Sequence, residues 1–174
     1  MLPITQKFCV YADSNHLKYR ILKENVDSHD IIVDIIVTIE KGGTLSGMSL
    51  PEGAFLFFCP DESVTICYDF AQIPDEKQGA ATSFANKLNK RARFVRFLYD
   101  PEFRCLRAAT DVFVGDSANS TVAGVKICKM LDLMRDVVKE VFPDTAKLLH
   151  GDRRSASVSD VMGDIDRLIR TKLE

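Results

Sequence analysis

The sequence has no long apolar run and almost no net charge. Its longest apolar stretch, residues 31–39, carries Asp34 and is far shorter than the roughly 20 residues of a membrane-spanning helix. A net charge of −2 gives no overall attraction to nucleic acid or to an anionic membrane. No apolar core of a signal peptide follows Lys7, since Asp13 comes close behind it. We therefore expect a cytoplasmic protein with no membrane partner.

The cysteines are also few, and no two of them lie within four residues of each other. An odd number without close pairs argues against a zinc knuckle and against a secreted disulfide framework. Each cysteine lies in an apolar run, where a free thiol behaves as a small hydrophobic group with a raised pKa. We predict that all five are free and mostly buried, in a reducing compartment: Cys9, Cys59, Cys67, Cys105 and Cys128.

Motifs for catalysis are missing as well. His16, His29 and His150 have no metal-ligand partner two to four residues further on. The glycines of residues 42–47 lack the Lys-Ser/Thr pair of a phosphate-binding loop, and no Gly-x-Ser-x-Gly occurs. We therefore predict that the protein is not an enzyme and has no catalytic residues, no cofactor and no metal site.

The chain does contain segments of clear periodicity. Residues 4–13 fit the apolar stripe of a helix, with Pro3 in a first-turn position, although their Phe-Cys-Val-Tyr run would suit a strand equally well. The glycines of residues 41–53 predict a loop, and residues 25–30 a turn. The remaining segments follow the periods of strands and helices: strands at 17–21, 31–39, 54–59, 64–70, 93–99 and 105–114, and helices at 75–92 and 118–142, the latter ended by Pro143.

This order of elements predicts an α+β fold. Short connections favour an antiparallel sheet of about five to six strands with helices packed on it, in the order α-β-β-β-β-α-β-β-α. The helix at 75–92 should interrupt the sheet between its fourth and fifth strands. Residues 1–150 would form one domain. A serine-rich linker and an amphipathic tail helix would follow in residues 151–174.

Apolar residues on the polar side of the long helix point to an interaction surface. Three such residues on one charged face suggest cover by the tail helix, by a second copy or by another protein. Whether the tail packs on its own chain or on another is left open by the sequence. The candidate partner or dimer surface comprises residues of the long helix and of the tail: Val122, Val125, Leu133, Ile165 and Leu168.

A basic cluster lies between the second helix and the strand that follows it. It comprises Lys87, Lys90, Arg91, Arg93 and Arg96. Interleaved aromatic residues at positions 94 and 97 would suit nucleic acid or an acidic peptide. Alternatively, the cations complement the carboxyl end of the helix and pair with acidic residues at positions 100 or 102.

Residues 84–141 resemble the YbjN family. The resemblance lies in Asn86 and Asn89 of an Asn-Lys-Leu-Asn run, the strand hairpin ending in Leu-Arg-Ala-Ala-Thr-Asp-Val-Phe-Val, and the long closing helix. It implies a fold similar to type III secretion chaperones, often dimeric, with no catalytic residues and an adaptor or regulatory role. The chain departs from the family at residues 41–53 and from residue 152 onward. From the residues themselves, we expect the asparagines to fix their helix to the following strand.

Together these patterns predict a non-catalytic protein-binding module, an adaptor or chaperone-like protein. Its partner would be a protein or peptide, and the chain would form a homodimer. Nucleic-acid binding through the basic cluster is the alternative function.

Overall fold

The computed structural model describes residues 1–28, 31–39, 43–45, 48–50, 54–90 and 92–150. The tail surface residues Ile165 and Leu168, together with Arg91 and His29, lie outside the described residues. In the described part of the chain, no helix is long and apolar enough to cross a membrane. The helices and strands are α1 (Pro3–Ser14), β1 (Tyr19–Ser28), β2 (Ile31–Ile39), β3 (Gly43–Leu45), β4 (Met48–Leu50), β5 (Ala54–Cys59), β6 (Ser63–Gln72), α2 (Gln78–Asn89), β7 (Arg96–Asp100), β8 (Cys105–Phe113) and α3 (Ser120–His150).

The main sheet contains six of these strands in the order β1-β2-β5-β6-β8-β7. The neighbouring pairs β1–β2, β2–β5, β5–β6 and β7–β8 run antiparallel. Along the chain, α2 falls between β6 and β7, the fourth and fifth strands of this sheet. The predicted α+β class with an antiparallel sheet is therefore confirmed.

In the first half of the chain, the predicted helix is confirmed and two other segments differ from the prediction. Residues 4–13 are helical, with Pro3 in the first turn. The predicted turn at residues 25–30 is wrong up to Ser28, because β1 continues and pairs with β2 from Tyr19↔Ile39 to Ser28↔Ile31. The predicted loop at 41–53 contains the separate hairpin β3–β4. In both places pairing with a neighbouring strand overrides the local turn preference.

Pro143 does not end the last helix, so this part of the prediction is wrong. The helix α3 runs on to His150. A proline removes one backbone donor, but the helix is buried on both sides of it, since Val141 before Pro143 and Thr145 after it are both buried. The Thr145 hydroxyl donates a hydrogen bond of 3.2 Å to the carbonyl of Val141. The other long predicted helix, α2, begins at Gln78, after a 3-10 turn at Asp75–Lys77.

The described chain divides into two compact units. The first comprises Met1–Cys67 and Thr110–Asp132, and the second comprises Tyr68–Ala109 and the described residues from Leu133 onward. In the first unit, α1 packs on β5, and the rings of Phe8 and Phe58 lie 5.4 Å apart. In the second unit, one face of α2 is buried and the end of the helix is bonded to β7. Each unit thus has strands with a helix packed on one face.

A close approach of α1 to α3 depends on a glycine. A Cβ atom at Gly124 would overlap the ring of Tyr11. Both residues belong to the first unit. Side chains inside a well-packed region leave no room for an added methyl group.

We expect Gly124→Ala to destabilise the protein, although alanine normally favours a helix over glycine. The overlap with Tyr11 should lower the free energy of unfolding by roughly 1–3 kcal/mol. Urea denaturation measures this change. Gly79→Ala is the matched control, because a Cβ at Gly79 in α2 meets nothing within 4 Å. It should leave stability unchanged or raise it by up to about 1 kcal/mol. Equal effects of the two substitutions would contradict the close packing.

Candidate interaction surfaces

The described members of the basic cluster all lie at the surface of the second unit. Lys87 and Lys90 lie at the carboxyl end of α2, Arg93 follows in the connection, and Arg96 begins β7. All four side chains are exposed. The described cations of the cluster are therefore solvent-accessible along a helix end, a connection and the start of a strand.

Only one of the two aromatic residues of this region is available beside the cations. The side chain of Phe94 is 43% exposed, whereas Phe97 is buried in the core. The expected interleaving of two aromatic surfaces is therefore wrong for Phe97. The cause is strand alternation, because Phe97 faces the side of β7 that packs inward while Arg96 and Leu98 face outward.

The acidic residue expected to neutralise the cluster is used elsewhere. Asp100 accepts a hydrogen bond of 2.8 Å from Nη1 of Arg107. Its other oxygen accepts the backbone N–H groups of Glu102 and Phe103, which turns the chain after β7. Asp100 is thus paired with Arg107, and the expected pairing of a strand arginine with Asp100 or Glu102 stays a prediction. The helix-end explanation still fits Lys87, which lies in the last turn of α2.

Arg107 is the centre of a charged network that the sequence analysis did not identify. Its Nε and Nη2 atoms donate to the two oxygens of Asp69 at 2.5 and 2.8 Å, in the bidentate geometry of a strong ion pair. Its guanidinium also lies 5.2 Å from the ring centroid of Phe103. All these residues, with Asp100, belong to the second unit. The sequence contains an indication of this network, because Asp69 and Arg107 are charged residues within mostly apolar strands.

The thiol of Cys105 lies beside this network. Cys105 is opposite Asp100 in the β7–β8 pairing and is almost fully buried. Burial, with the negative charge of Asp69 adding to it, raises the pKa of the thiol to about 12. A thiol that stays protonated at neutral pH is a poor nucleophile.

The five cysteines are free, as predicted, but they are not mostly buried. Cys67 and Cys105 are buried, whereas Cys9, Cys59 and Cys128 are partly exposed. Cys59 lies on the outward side of β5, where side chains alternate between buried and half-exposed. Apolar sequence neighbours did not reveal this, because neighbours along a strand point to opposite faces.

Two of the three α3 residues in the candidate surface are exposed, and the third is buried. Val122 and Val125 are exposed, at 43% and 37%, and lie on one face of the helix because they are three residues apart. We name these two residues the α3 patch. The carboxamide of Asn119 caps the helix just before them by accepting the Val122 N–H at 2.9 Å.

Leu133, the third residue of α3 in the candidate surface, is covered within the chain and is not part of the exposed α3 patch. Its side chain is only 2% exposed. Leu133 lies one turn before the buried Val137, and the buried stripe of α3 is wider there than a uniform helical wheel indicates.

No arrangement for metal chemistry is found in the part of the chain that the structure describes. Within it, no group of three or more His, Cys, Asp or Glu side chains is placed to hold a metal ion. His16 is an exposed residue just after α1.

Comparisons with protein-family models, with curated proteins and with solved structures give no match for this chain. The resemblance to the YbjN family therefore rests on the residue pattern alone. Any assignment of function must come from the surfaces described above.

The raised pKa of Cys105 predicts a loss of stability in alkali. Because the folded state holds the proton more tightly than the unfolded state, the contribution is fully present below the ordinary pKa of 9.0 and is lost as the pH rises towards about 12. Urea denaturation between pH 8 and pH 10.5 should show a falling free energy of unfolding. Cys105→Ala should flatten this fall, with Cys128→Ala as the control. An unchanged slope in Cys105→Ala would contradict the assignment.

Proposed function

We propose that this protein is a non-catalytic protein-binding module, an adaptor or chaperone-like protein of the YbjN type that acts in the cytoplasm. The observation that carries the proposal is the α3 patch. Val122 and Val125 remain exposed at the start of a long helix, while Ala123, Ile127 and Leu131 of the same helix are buried. A protein or peptide partner would complete the burial of this face.

The chemistry of the other sites supports a binding role. The carboxylates of Asp69 and Asp100 are held by Arg107, so neither is free to act as an acid or base. The Cys105 thiol is kept protonated by burial. Five free cysteines are in keeping with a reducing compartment.

The α3 patch is small, so a partner must extend beyond the two valines. Complete burial of an apolar side chain contributes roughly 1.5–3 kcal/mol, and these two are already more than half buried. Lys129 is exposed one turn after Val125 and would add a polar rim. The resemblance to a family of often dimeric proteins makes a second copy of this chain the first partner to test.

The test replaces both valines with a charged residue. Val122→Asp/Val125→Asp should abolish binding at the α3 patch, because a carboxylate would have to be buried without a partner. Sedimentation velocity measures self-association, and affinity purification from the native cell measures binding of other proteins. We expect the double variant to lose self-association or a specific captured protein.

Thr121→Asp is the control, since it adds an aspartate at an exposed position of the same helix outside the α3 patch. It should behave like the wild type in both assays. If the double variant folds and keeps the wild-type association state and the wild-type captured proteins, the α3 patch is not the binding surface.

Nucleic-acid binding is the second candidate function. It is favoured by one observation, namely that Lys87, Lys90, Arg93 and Arg96 are all exposed beside the half-exposed ring of Phe94. In the described part of the chain, the side chains of Lys87, Lys90 and Arg93 make no ion pair. Cations and an aromatic ring together are typical of single-strand binding surfaces.

If this second function is correct, binding to a single-stranded oligonucleotide should fall steeply with salt. Three or four phosphate contacts predict a loss of roughly 20- to 50-fold in affinity between 50 and 200 mM salt. Fluorescence anisotropy measures this. Lys87→Glu/Lys90→Glu/Arg93→Glu should abolish binding, and Lys129→Glu on α3 is the control. Absence of binding by the wild type at 50 mM salt would exclude this function.

A further inference from the structure

The strand β7 lies at one end of the main sheet and pairs only with β8 within it. An edge strand of this kind presents backbone N–H and C=O groups that another chain can use for pairing. Folded proteins protect such edges with short strands, charges, bulges or a covering element. In β7, hydrogen bonds from a side chain of α2 provide such protection.

The side chain of Asn89, the last residue of α2, is bonded to the backbone of β7. Its Oδ1 atom accepts the N–H of Phe97 at 2.7 Å, and its Nδ2 atom donates to the carbonyl of Phe97 at 2.5 Å. The backbone N–H and C=O groups of Phe97 are thus both hydrogen-bonded to the side chain of Asn89. The expectation that the asparagines fix this helix to the following strand is thus confirmed for Asn89 but not for Asn86.

The direction of these bonds identifies the side of β7 that is covered. The backbone N–H and C=O groups of Phe97 are bonded to Asn89. They therefore do not pair with Ala108, the residue opposite Phe97 in β8. In an antiparallel strand, backbone groups alternate between the two neighbours, so those of Phe97 and Tyr99 point to the free edge. A carboxamide places an N–H donor beside a C=O acceptor, as a residue of an added strand would.

We propose that Asn89 is an edge guard, which occupies the hydrogen-bonding position of a seventh strand and so blocks pairing of β7 with the β7 of a second copy. Because β7 has only five residues, covering Phe97 leaves Tyr99 as the only other residue of the strand whose backbone points outward. After it, Asp100 turns the chain away by accepting the N–H groups of Glu102 and Phe103. The side chain of Asn89 therefore occupies the backbone groups of one of the two β7 residues that point outward.

This inference goes beyond the proposed function, because it concerns a different part of the chain. The α3 patch belongs to the first unit, whereas Asn89 and β7 belong to the second. A guarded β7 edge means that binding by strand addition does not use this edge. Failure of either proposal leaves the other one standing.

The experiment compares Asn89→Ala with Asn86→Ala. Asn86 is exposed on the same helix, one turn earlier, and its side chain makes no hydrogen bond to the described residues. Asn89→Gln keeps the carboxamide and serves as the conservative variant. Each protein is studied by sedimentation velocity over a range of concentrations and by amide hydrogen exchange at Phe97 and Tyr99.

We expect Asn89→Ala to self-associate at least roughly tenfold more strongly than the wild type, because two backbone groups become available for pairing. In the associated form the Tyr99 N–H should exchange more slowly than in the wild type, since it would be bonded to the second copy. Asn86→Ala and Asn89→Gln should match the wild type in both measurements.

A merely structural link between α2 and β7 would give a different result. Asn89→Ala would then be less stable, with faster exchange at Phe97, while its association state and Tyr99 exchange stayed as in the wild type. That result overturns the proposal. An Asn89→Ala chain that fails to fold, while Asn89→Gln folds, also overturns it, because guarding a free edge is not needed for a monomer to fold.

Discussion

In β5, Leu56 and Phe58 are completely buried, while Phe57 between them is half-exposed. The same alternation appears at the end of β8, where Thr110 and Val112 are buried and Asp111 and Phe113 are exposed. Both segments thus turn one face to the core. Because a shift of one residue would exchange the two faces, this burial fixes the register of the strands. The positions of charges, thiols and edge groups all follow from that register.

The outward faces carry the polar chemistry that the core cannot hold. Arg107 lies between Asp69 and Asp100 because neighbouring strands place these side chains on one face. Such a satisfied ion pair rigidifies the strands and leaves its carboxylates unavailable for other reactions. It also lies beside the thiol of Cys105, whose pKa is raised by burial and by the nearby negative charge of Asp69. The charges of this network therefore link neighbouring strands of the sheet.

Two features control which surfaces remain open for association. The α3 patch is an open apolar surface, formed because Asn119 starts the helix just before Val122 and the buried face of the helix lies on another side. At β7, by contrast, Asn89 closes the edge with a polar side chain. Apolar exposure favours a partner, and satisfied backbone groups discourage one. The two proposals together direct binding to the α3 patch and away from the β7 edge.

The sequence by itself determined the α+β class, the order of the elements and the link from Asn89 to its neighbouring strand, because these depend on local periodicity and on residues close in the chain. Tertiary structure alone decided that α3 continues through Pro143, that residues 43–50 contain a hairpin and that Leu133 is buried. It also brought Asp69 and Arg107 together across 38 positions. Contacts between distant segments supply the free energy that overrides a local preference, and a single sequence carries no direct record of which segments meet.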